Sequence, residues 1–225
     1  MATVRINLHN VIYISYLVPA DRIRPFVPKV LNLVPDENNM VYISFVAMDC
    51  RQTRLSAFPF IKFSYKQLNL RTYVSDPKTG DASVYFFNSG VSLGFIPVLT
   101  RLIGISWEKI TFNLNKGYDG KYNATGYWLG DFNFEIDTAL SKELNNSTVS
   151  HITNPMMGFI GPEGKTRSFK IYHKALKVYS AVLNNIKFPL PEEKGFITYK
   201  ELTNPDSVLM VPEAEFIIFL PPSKV

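Results

Sequence analysis

Polar and apolar side chains alternate along residues 65–74, a pattern that predicts a β-strand. Successive side chains of a strand point to opposite faces, so Gln67, Asn69 and Arg71 share one face. That face continues with Tyr73, and the other face carries Leu68, Leu70, Thr72 and Val74. An arginine flanked by two amides and a phenol is suited to bind a carboxylate or another anion. On the pattern alone, the favoured interpretation is a strand whose polar face meets water, and the anion site is the alternative.

An amine nucleophile is the second candidate, in the alternating segment 107–113. One face of this predicted strand carries Trp107, Lys109, Thr111 and Asn113. A lysine that is desolvated or lies beside another cation loses its proton more easily, and the free amine then forms a Schiff base with a carbonyl compound. Lys109 has this chemistry only if its face points into a cavity. The equally weighted alternative is a surface lysine near the start of a strand.

Other catalytic and metal-binding patterns are absent from the sequence. Residues 161–166 end in Gly-Lys-Thr, as a phosphate-binding loop does. Phe159 occupies the position of that motif's first glycine, so we predict a hairpin turn instead. Neither Gly-x-Ser-x-Gly nor His-Glu-x-x-His occurs. Cys50 is the only cysteine, which we expect to be a buried thiol, and the three histidines lack ligand spacing. We therefore expect no disulfide, no metal site and no cofactor.

The composition predicts an ordered protein outside the membrane. Apolar residues make up 46% of the 225 residues, which is enough for a packed core in a single domain, residues 1–225. The N-terminus lacks the apolar core of a signal peptide, and Pro97 and Arg101 interrupt the longest apolar stretch, residues 91–105. We therefore expect a cytoplasmic protein without a membrane partner.

The net charge of +5 is spread along the chain, and its densest basic group lies within residues 165–177. Aromatic residues interleave with the basic ones there, a composition that is compatible with RNA binding. The favoured interpretation is a solvated sheet face whose lysines protect an edge, because no nucleic-acid motif accompanies the charges. We therefore expect no nucleic-acid partner.

Short strands bounded by Gly, Pro, Asn and Asp dominate the predicted secondary structure. They lie near residues 3–8, 10–17, 40–50, 60–75, 82–89, 106–115, 121–128, 131–137, 168–182, 195–201 and 213–219. Helices are predicted at 19–27 and within 91–104, with a helix or extended loop at 138–144 and a Pro-rich loop at 188–195. The predicted fold class is α+β, mostly antiparallel, with a curved or closed barrel-like sheet, because closure removes exposed strand edges.

The order of several segments resembles the acetoacetate decarboxylase-like superfamily and, within it, the YqjF-like branch. The segments that carry the resemblance are residues 10–28, 41–48, 67–74 and 84–88, followed by an apolar stretch that ends at Arg101. The resemblance covers about residues 6–115 and rests on segment order and spacing. It implies a barrel-like sheet that encloses a ligand cavity.

The resemblance also implies that the decarboxylase chemistry is altered. The family uses two adjacent lysines, one to form the Schiff base and one to lower its pKa. These positions match residues 107–108 or, with one gap, 108–109, so a glutamate interrupts the pair. A carboxylate there raises the pKa of a neighbouring lysine, opposite to what the mechanism needs. The family's active-site arginine falls on His9, and its two glutamates fall on Ser44 and Gln67.

We therefore predict a barrel cavity that binds a small carbonyl or carboxylate compound, without acetoacetate decarboxylase activity. Its predicted polar lining consists of Arg71, Gln67, Asn69, His9, Asn88 and Lys109. The alternative is a Schiff-base lyase that uses Lys109, with Arg71 holding the acid group of the substrate. A third hypothesis is an interaction module based on residues 165–177. The apolar segment 214–222 is expected to add to a sheet edge, which is compatible with a homo-oligomer, or to cover one.

Overall fold

The computed structural model describes residues 2–225, of which 55% are strand and 14% helix. The strands are β1 (Ala2–Pro19), β2 (Asn32–Leu33), β3 (Met40–Leu55), β4 (Phe58–Ser75), β5 (Ala82–Val91), β6 (Glu108–Lys109), β7 (Thr111–Lys116), β8 (Lys121–Tyr127), β9 (Asp131–Asp137), β10 (Glu143–Leu144), β11 (Met157–Ile160), β12 (Arg167–Tyr172), β13 (Val178–Ser180), β14 (Val182–Lys187), β15 (Ser207–Leu220) and β16 (Ser223–Lys224). The helices are α1 (Ala20–Ile23), α2 (Phe95–Leu102), α3 (Ser147–Thr153), α4 (Pro189–Glu193) and α5 (Tyr199–Leu202), and a 3-10 turn (Arg24–Phe26) follows α1.

Seven strands close into a barrel in the order β15, β1, β3, β4, β5, β11 and β12, and β12 pairs back with β15. Neighbouring strands are antiparallel except β5 and β11, which run parallel. The prediction of a mostly antiparallel, closed sheet with few short helices is thereby confirmed. The C-terminal segment 214–222 closes the barrel, because most of it belongs to β15, which pairs with β1 on one side and with β12 on the other.

The barrel wall separates two hydrophobic cores. The inner core fills the barrel and includes Tyr13, Val46 and Phe169. The outer core includes Phe45 and Phe132 and lies between the barrel and a second antiparallel sheet, whose strand order is β14, β9, β8 and β7. Because side chains alternate along a strand, the barrel strands supply residues to both cores.

A β-bulge in β1 changes which of its residues face the barrel interior. The register with β3 shifts between His9 and Ile12, and Asn10 has a positive φ of 52°. Asparagine tolerates this left-handed conformation better than most residues. Leu8 and Val11 therefore both belong to the inner core, although a regular strand would turn them to opposite faces.

A second bulge, in β5, has the same effect. The register of β5 against β4 skips Phe87. A regular strand that turns Phe86 inward would also turn Asn88 inward. The extra residue instead turns Ser89 and Val91 towards the barrel interior and leaves Asn88 on the outer side.

Two segments of the C-terminal half differ from their predicted structure. Residues 195–201, predicted as a strand, form a turn and the start of α5, where Thr198 and Glu201 make a capping box. Residues 188–195, predicted as a loop, contain α4, which begins at Pro189. Proline is favoured in the first turn of a helix because its fixed φ suits the helix and its missing N–H has no partner there.

The remaining predicted elements are partly confirmed. Helices are present where 19–27 and 91–104 were assigned, as α1 and α2. Residues 138–144 form a turn that leads into β10, and the predicted strand 168–182 is interrupted between β12 and β13. The sequence analysis missed α3, whose N-cap Asn146 accepts a hydrogen bond from the Val149 N–H at 2.9 Å. None of the helices within residues 2–225 is long and apolar enough to cross a membrane.

Candidate functional site

A cavity of about 70 Å³ lies inside the barrel. Its wall is mainly apolar and includes Val46, Met48, Phe86, Trp107, Phe169 and Phe216. Its polar lining consists of Tyr13, Gln67, Asn69, Arg71 and Ser89. A small apolar cavity with a few convergent polar groups is typical of a site for a small organic ligand.

Strand β4 places Gln67, Asn69 and Arg71 on the inner face of the barrel, as its alternation predicts. The solvent-facing interpretation of this segment is wrong, because Gln67 is 6% exposed and Asn69 is 4% exposed. Leu68 and Leu70 point the other way, into the outer core. Both faces of β4 are therefore covered between Gln67 and Leu70, and the polar one is covered by the barrel itself.

Arg71 is the only cation that lines this cavity within the described chain, residues 2–225. Its Nη2 donates a hydrogen bond to the Ile152 carbonyl at 2.7 Å and a longer one to the Tyr73 hydroxyl at 3.4 Å. The guanidinium carbon lies 5.4 Å from the ring centroids of both Tyr13 and Tyr73, a cation–π distance.

No carboxylate within residues 2–225 pairs with Arg71, and its buried Nε has no hydrogen-bond partner there. Arg71 is half-buried, and the acceptors of its guanidinium are a carbonyl and a phenol, although most buried polar groups such as its Nε are satisfied in proteins. The guanidinium therefore keeps both a positive charge and a donor available to a bound anion.

Amide and hydroxyl groups extend the polar side of the cavity. Gln67 Nε2 donates to Asn69 Oδ1 at 2.9 Å, which fixes the orientation of both amides and leaves the Asn69 amino group unused in this bond. The Cys50 thiol lies 3.8 Å from Gln67 Oε1. The Ser89 hydroxyl is buried without a partner among the described residues. A ligand oxygen in the cavity would satisfy these donors.

A chain of hydroxyl groups supports Tyr73 from the side of β1 and β3. The hydroxyls of Ser15 and Ser44 lie 2.7 Å apart, and the Ser44 hydroxyl lies 2.7 Å from that of Tyr73. Ser44 is one of the positions where the resemblance implies a glutamate. A neutral, hydrogen-bonded hydroxyl there positions Tyr73 beside Arg71 and adds no negative charge that would compete with a ligand.

Two histidines that the sequence analysis did not single out lie near this cation. Burial, and secondly the positive charge of Arg71, lower the pKa of His151, whose ring lies 4.7 Å from the Tyr73 ring. Burial and the Arg71 charge also lower the pKa of His173, although its bond to the Lys174 carbonyl opposes this. Both imidazoles are therefore kept neutral more readily than in water.

His173 has a defined tautomer. Its Nδ1 lies 2.8 Å from the Lys174 carbonyl, which only accepts hydrogen bonds, so Nδ1 carries a proton. The buried Nε2 has no partner within residues 2–225 and is an acceptor in the neutral ring. The ring stacks on Phe216, a residue of the cavity wall, at a centroid distance of 4.4 Å.

Asn88 does not reach the cavity, because the bulge in β5 turns it outward. Its Nδ2 donates to Glu108 Oε1 at 2.9 Å, and Trp128 Nε1 donates to Glu108 Oε2 at 2.8 Å. Glu108 thus accepts hydrogen bonds both from Asn88 of the barrel strand β5 and from Trp128 of the outer core. The predicted lining is corrected here: Ser89 occupies the place assigned to Asn88.

Lys109 also lies outside the cavity. It is exposed and lines an open surface groove that also contains Lys66 and Asp49. Its ammonium donates to the carbonyls of Ser92 and Ile110. The predicted shared face of Trp107 and Lys109 is wrong, because the strand there, β6, has only two residues, and Trp107 precedes it.

His9 is the third predicted lining residue that the structure places elsewhere. Leu8 takes the inward position in this part of β1, so His9 points to the opposite side of the strand. There it lines a surface groove with Glu213 and Glu215. The structure thus brings together Gln67, Asn69 and Arg71 but not His9, Asn88 and Lys109.

Comparison with known proteins identifies relatives by sequence and by structure. The family DUF2071, described as "Uncharacterized conserved protein (COG2071)", matches residues 5–215. No curated protein matches the sequence significantly.

Several solved structures have the same fold at low sequence identity. The acetoacetate decarboxylase of Legionella pneumophila subsp. pneumophila str. Philadelphia 1 is 12% identical with a TM-score of 0.66, over 98% of this chain and 86% of that chain. An acetoacetate decarboxylase-like enzyme of Sphingomonas wittichii RW1 is 8% identical with a TM-score of 0.65, over 99% and 92% of the two chains. The enduracididine biosynthesis enzyme MppR complexed with pyruvate is 10% identical with a TM-score of 0.62, over 99% and 90%. The expected acetoacetate decarboxylase-like fold is confirmed.

Proposed function

Because this chain belongs to the DUF2071 family and has the acetoacetate decarboxylase-like fold, we propose that it binds a small carboxylate in its barrel, such as a 2-oxo acid. The Arg71 guanidinium pairs with the carboxylate, and Asn69 and Ser89 donate to the 2-oxo oxygen. The apolar wall around Phe86 and Trp107 surrounds the carbon skeleton.

The unpaired Arg71 is the observation that carries this proposal. A positive charge that is partly buried beside an apolar wall is unfavourable unless an anion compensates it. No carboxylate within residues 2–225 supplies that compensation, and the free Nε adds a directed donor. A guanidinium binds a carboxylate through two parallel hydrogen bonds, which suits the planar acid group of a 2-oxo acid.

The cavity size sets the class of ligand. Sites for drug-sized molecules usually need about 300 Å³ or more, and this cavity has about 70 Å³. A ligand with few heavy atoms therefore fits without rearrangement of the wall. The MppR structure that holds pyruvate supports this size class, since pyruvate is a three-carbon 2-oxo acid.

Isothermal titration with pyruvate and with pyruvamide tests this proposal. The two compounds have nearly the same shape, but pyruvamide lacks the negative charge. We expect pyruvate or a related 2-oxo acid to bind and pyruvamide to bind at least about tenfold more weakly, because a charged hydrogen-bonded contact contributes about 1.5–3 kcal/mol. Equal affinities for the two compounds, or binding of neither in a folded sample, would contradict the proposed role of Arg71.

The Schiff-base alternative requires an amine at the ligand. No lysine lines the interior cavity within residues 2–225. Lys109 lies in a surface groove outside the cavity, where its ammonium donates to the carbonyls of Ser92 and Ile110. We therefore propose that the bound acid is not held covalently by Lys109. Incubation with pyruvate and borohydride, followed by intact mass measurement, should give no adduct; a reduced adduct that maps to Lys109 would favour the lyase.

A further inference from the structure

Helix α2 turns an apolar stripe towards solvent. Phe95, Val98, Leu99 and Leu102 have the spacing i, i+3, i+4 and i+7 and are all exposed, Leu102 to 81%. A stripe with this spacing normally packs against a core. Here Ile96 and Pro97 are the residues of the helix that are buried.

The hairpin between β3 and β4 exposes a second apolar group. Phe58, Phe60 and Ile61 are exposed, Phe60 to 94%. Because neighbouring residues of a strand point to opposite faces, exposure of both Phe60 and Ile61 means that the hairpin tip projects beyond the barrel. Strand β5 pairs with β4 only from Gln67 onwards, so this part of β4 has no strand on that side.

Phe63 connects the two groups. It lies in β4, and its ring centroid lies 5.2 Å from that of Phe95 in an edge-to-face contact. The seven exposed side chains form what we call the apolar platform, which consists of Phe58, Phe60, Ile61, Phe95, Val98, Leu99 and Leu102. Soluble monomers rarely expose so many large apolar residues together, and such patches mark contact with a protein or a membrane.

The two chain segments that carry the apolar platform have charged residues of one sign only. Residues 50–75 and 82–107 contain no aspartate or glutamate. The platform is flanked by Arg54, Lys62 and Arg101, none of which forms an ion pair in the part of the chain that the structure describes, residues 2–225. Apolar side chains with a basic rim are the combination that binds anionic membrane surfaces.

We propose that the apolar platform binds the surface of a membrane that contains anionic lipid. The apolar side chains enter the interface between headgroups and acyl chains, and the basic rim pairs with lipid phosphates. This differs from the expectation of no membrane partner, which rested on the absence of a spanning segment. A peripheral contact needs no such segment.

A second copy of the chain fits the platform less well. A symmetric contact would bring the two basic rims together without any acid to compensate them. Pairing through the free edge of β4 is hindered by Pro59, which has no N–H, and by Lys62, a residue type that commonly protects edges. The irregular register between β3 and β4 near Thr53 also disfavours a flat edge.

Vesicle flotation tests this proposal. The wild-type protein would be mixed with vesicles of phosphatidylcholine alone or with added phosphatidylglycerol. We expect it to float with the anionic vesicles, to bind the neutral ones more weakly, and to lose affinity as salt is raised, because salt screens the attraction of the rim. Failure to float with anionic vesicles at low salt would overturn the proposal.

Variants locate the contact. The double variant Phe60→Ser, Leu102→Ser should bind anionic vesicles at least about tenfold more weakly, since it removes two large apolar groups from the interface. The control Leu140→Ser removes a side chain that is 90% exposed outside the platform and should bind like the wild type. Both variants should unfold at the wild-type temperature because the replaced residues are exposed. Equal loss in control and double variant would refute the assignment. The assignment would also be refuted if the wild-type protein were an oligomer that does not bind vesicles and if the double variant were a monomer.

Discussion

Replacement of Arg71 by methionine should remove ligand binding with little effect on folding. The side chain gives one short hydrogen bond, to the Ile152 carbonyl, worth about 1.5–3 kcal/mol because the donor is charged. The two cation–π contacts, with Tyr13 and Tyr73, add about 0.5–1 kcal/mol each. Against these, keeping an unpaired charge partly buried costs several kcal/mol. Because the contributions nearly cancel, we expect the free energy of unfolding to change by less than about 2 kcal/mol.

Arg24→Met is the matched control. Arg24 is also half-buried, and it donates to the carbonyls of Leu31 and Pro28 at 2.8 Å and to that of Val27. Its role is to fix the turn after α1, and it does not line the interior cavity. We expect Arg24→Met to lose about 2–4 kcal/mol of stability, because several carbonyls lose a charged donor, and to bind pyruvate normally.

Urea unfolding followed by circular dichroism gives the stability of each variant, and titration calorimetry gives pyruvate binding. The expected pattern is opposite in the two variants: Arg71→Met is folded but does not bind, and Arg24→Met binds but is less stable. A loss of more than about 3 kcal/mol in Arg71→Met would mean that the guanidinium is chiefly structural. Pyruvate binding by Arg71→Met at wild-type affinity would refute the anion site.

Three further predictions concern the cavity and the residues around it. Asn69→Asp places a carboxylate beside Arg71, so we expect at least about tenfold weaker binding of pyruvate in calorimetry, and unchanged affinity would argue against direct contact. The pKa values of His151 and His173 are lowered in the folded protein, so just below pH 6.5 the unfolded chain binds more protons than the folded one. The free energy of unfolding, measured with urea, should therefore fall as the pH decreases through this window. The double variant His151→Gln, His173→Gln should show a smaller decrease. Burial raises the pKa of the Cys50 thiol, so iodoacetamide should modify it only after denaturation, as intact mass would show; rapid labelling of the native protein would contradict this.

The alternating segment of β4 shows how far local pattern determines the site. The period of two is a property of the extended backbone, so the sequence alone placed Gln67, Asn69 and Arg71 on one face and Leu68 and Leu70 on the other. The pattern did not distinguish water from a cavity on the polar side. That distinction depends on closure of the barrel by β12 and β15, which are distant in sequence from β4.

A bulge explains the difference at Asn88. Alternation assigns Asn88 to the cavity, but the extra residue in β5 gives that place to Ser89. A bulge depends on how two strands pair, and neither strand alone specifies it. Lys109 differs for another reason: alternation places it on the same face as Trp107, but β6 has only two residues and Trp107 precedes it.

The sequence by itself determined the strand-rich composition, the closed-sheet fold class and the placement of Gln67, Asn69 and Arg71 on one strand face, because these depend on residue type and spacing within a segment. Only the tertiary structure decided which polar groups meet inside the barrel, that Arg71 lies there without an acid partner, and that the stripe of α2 faces solvent. Each of these depends on contacts between segments that are far apart along the chain, and such contacts form only when the barrel closes.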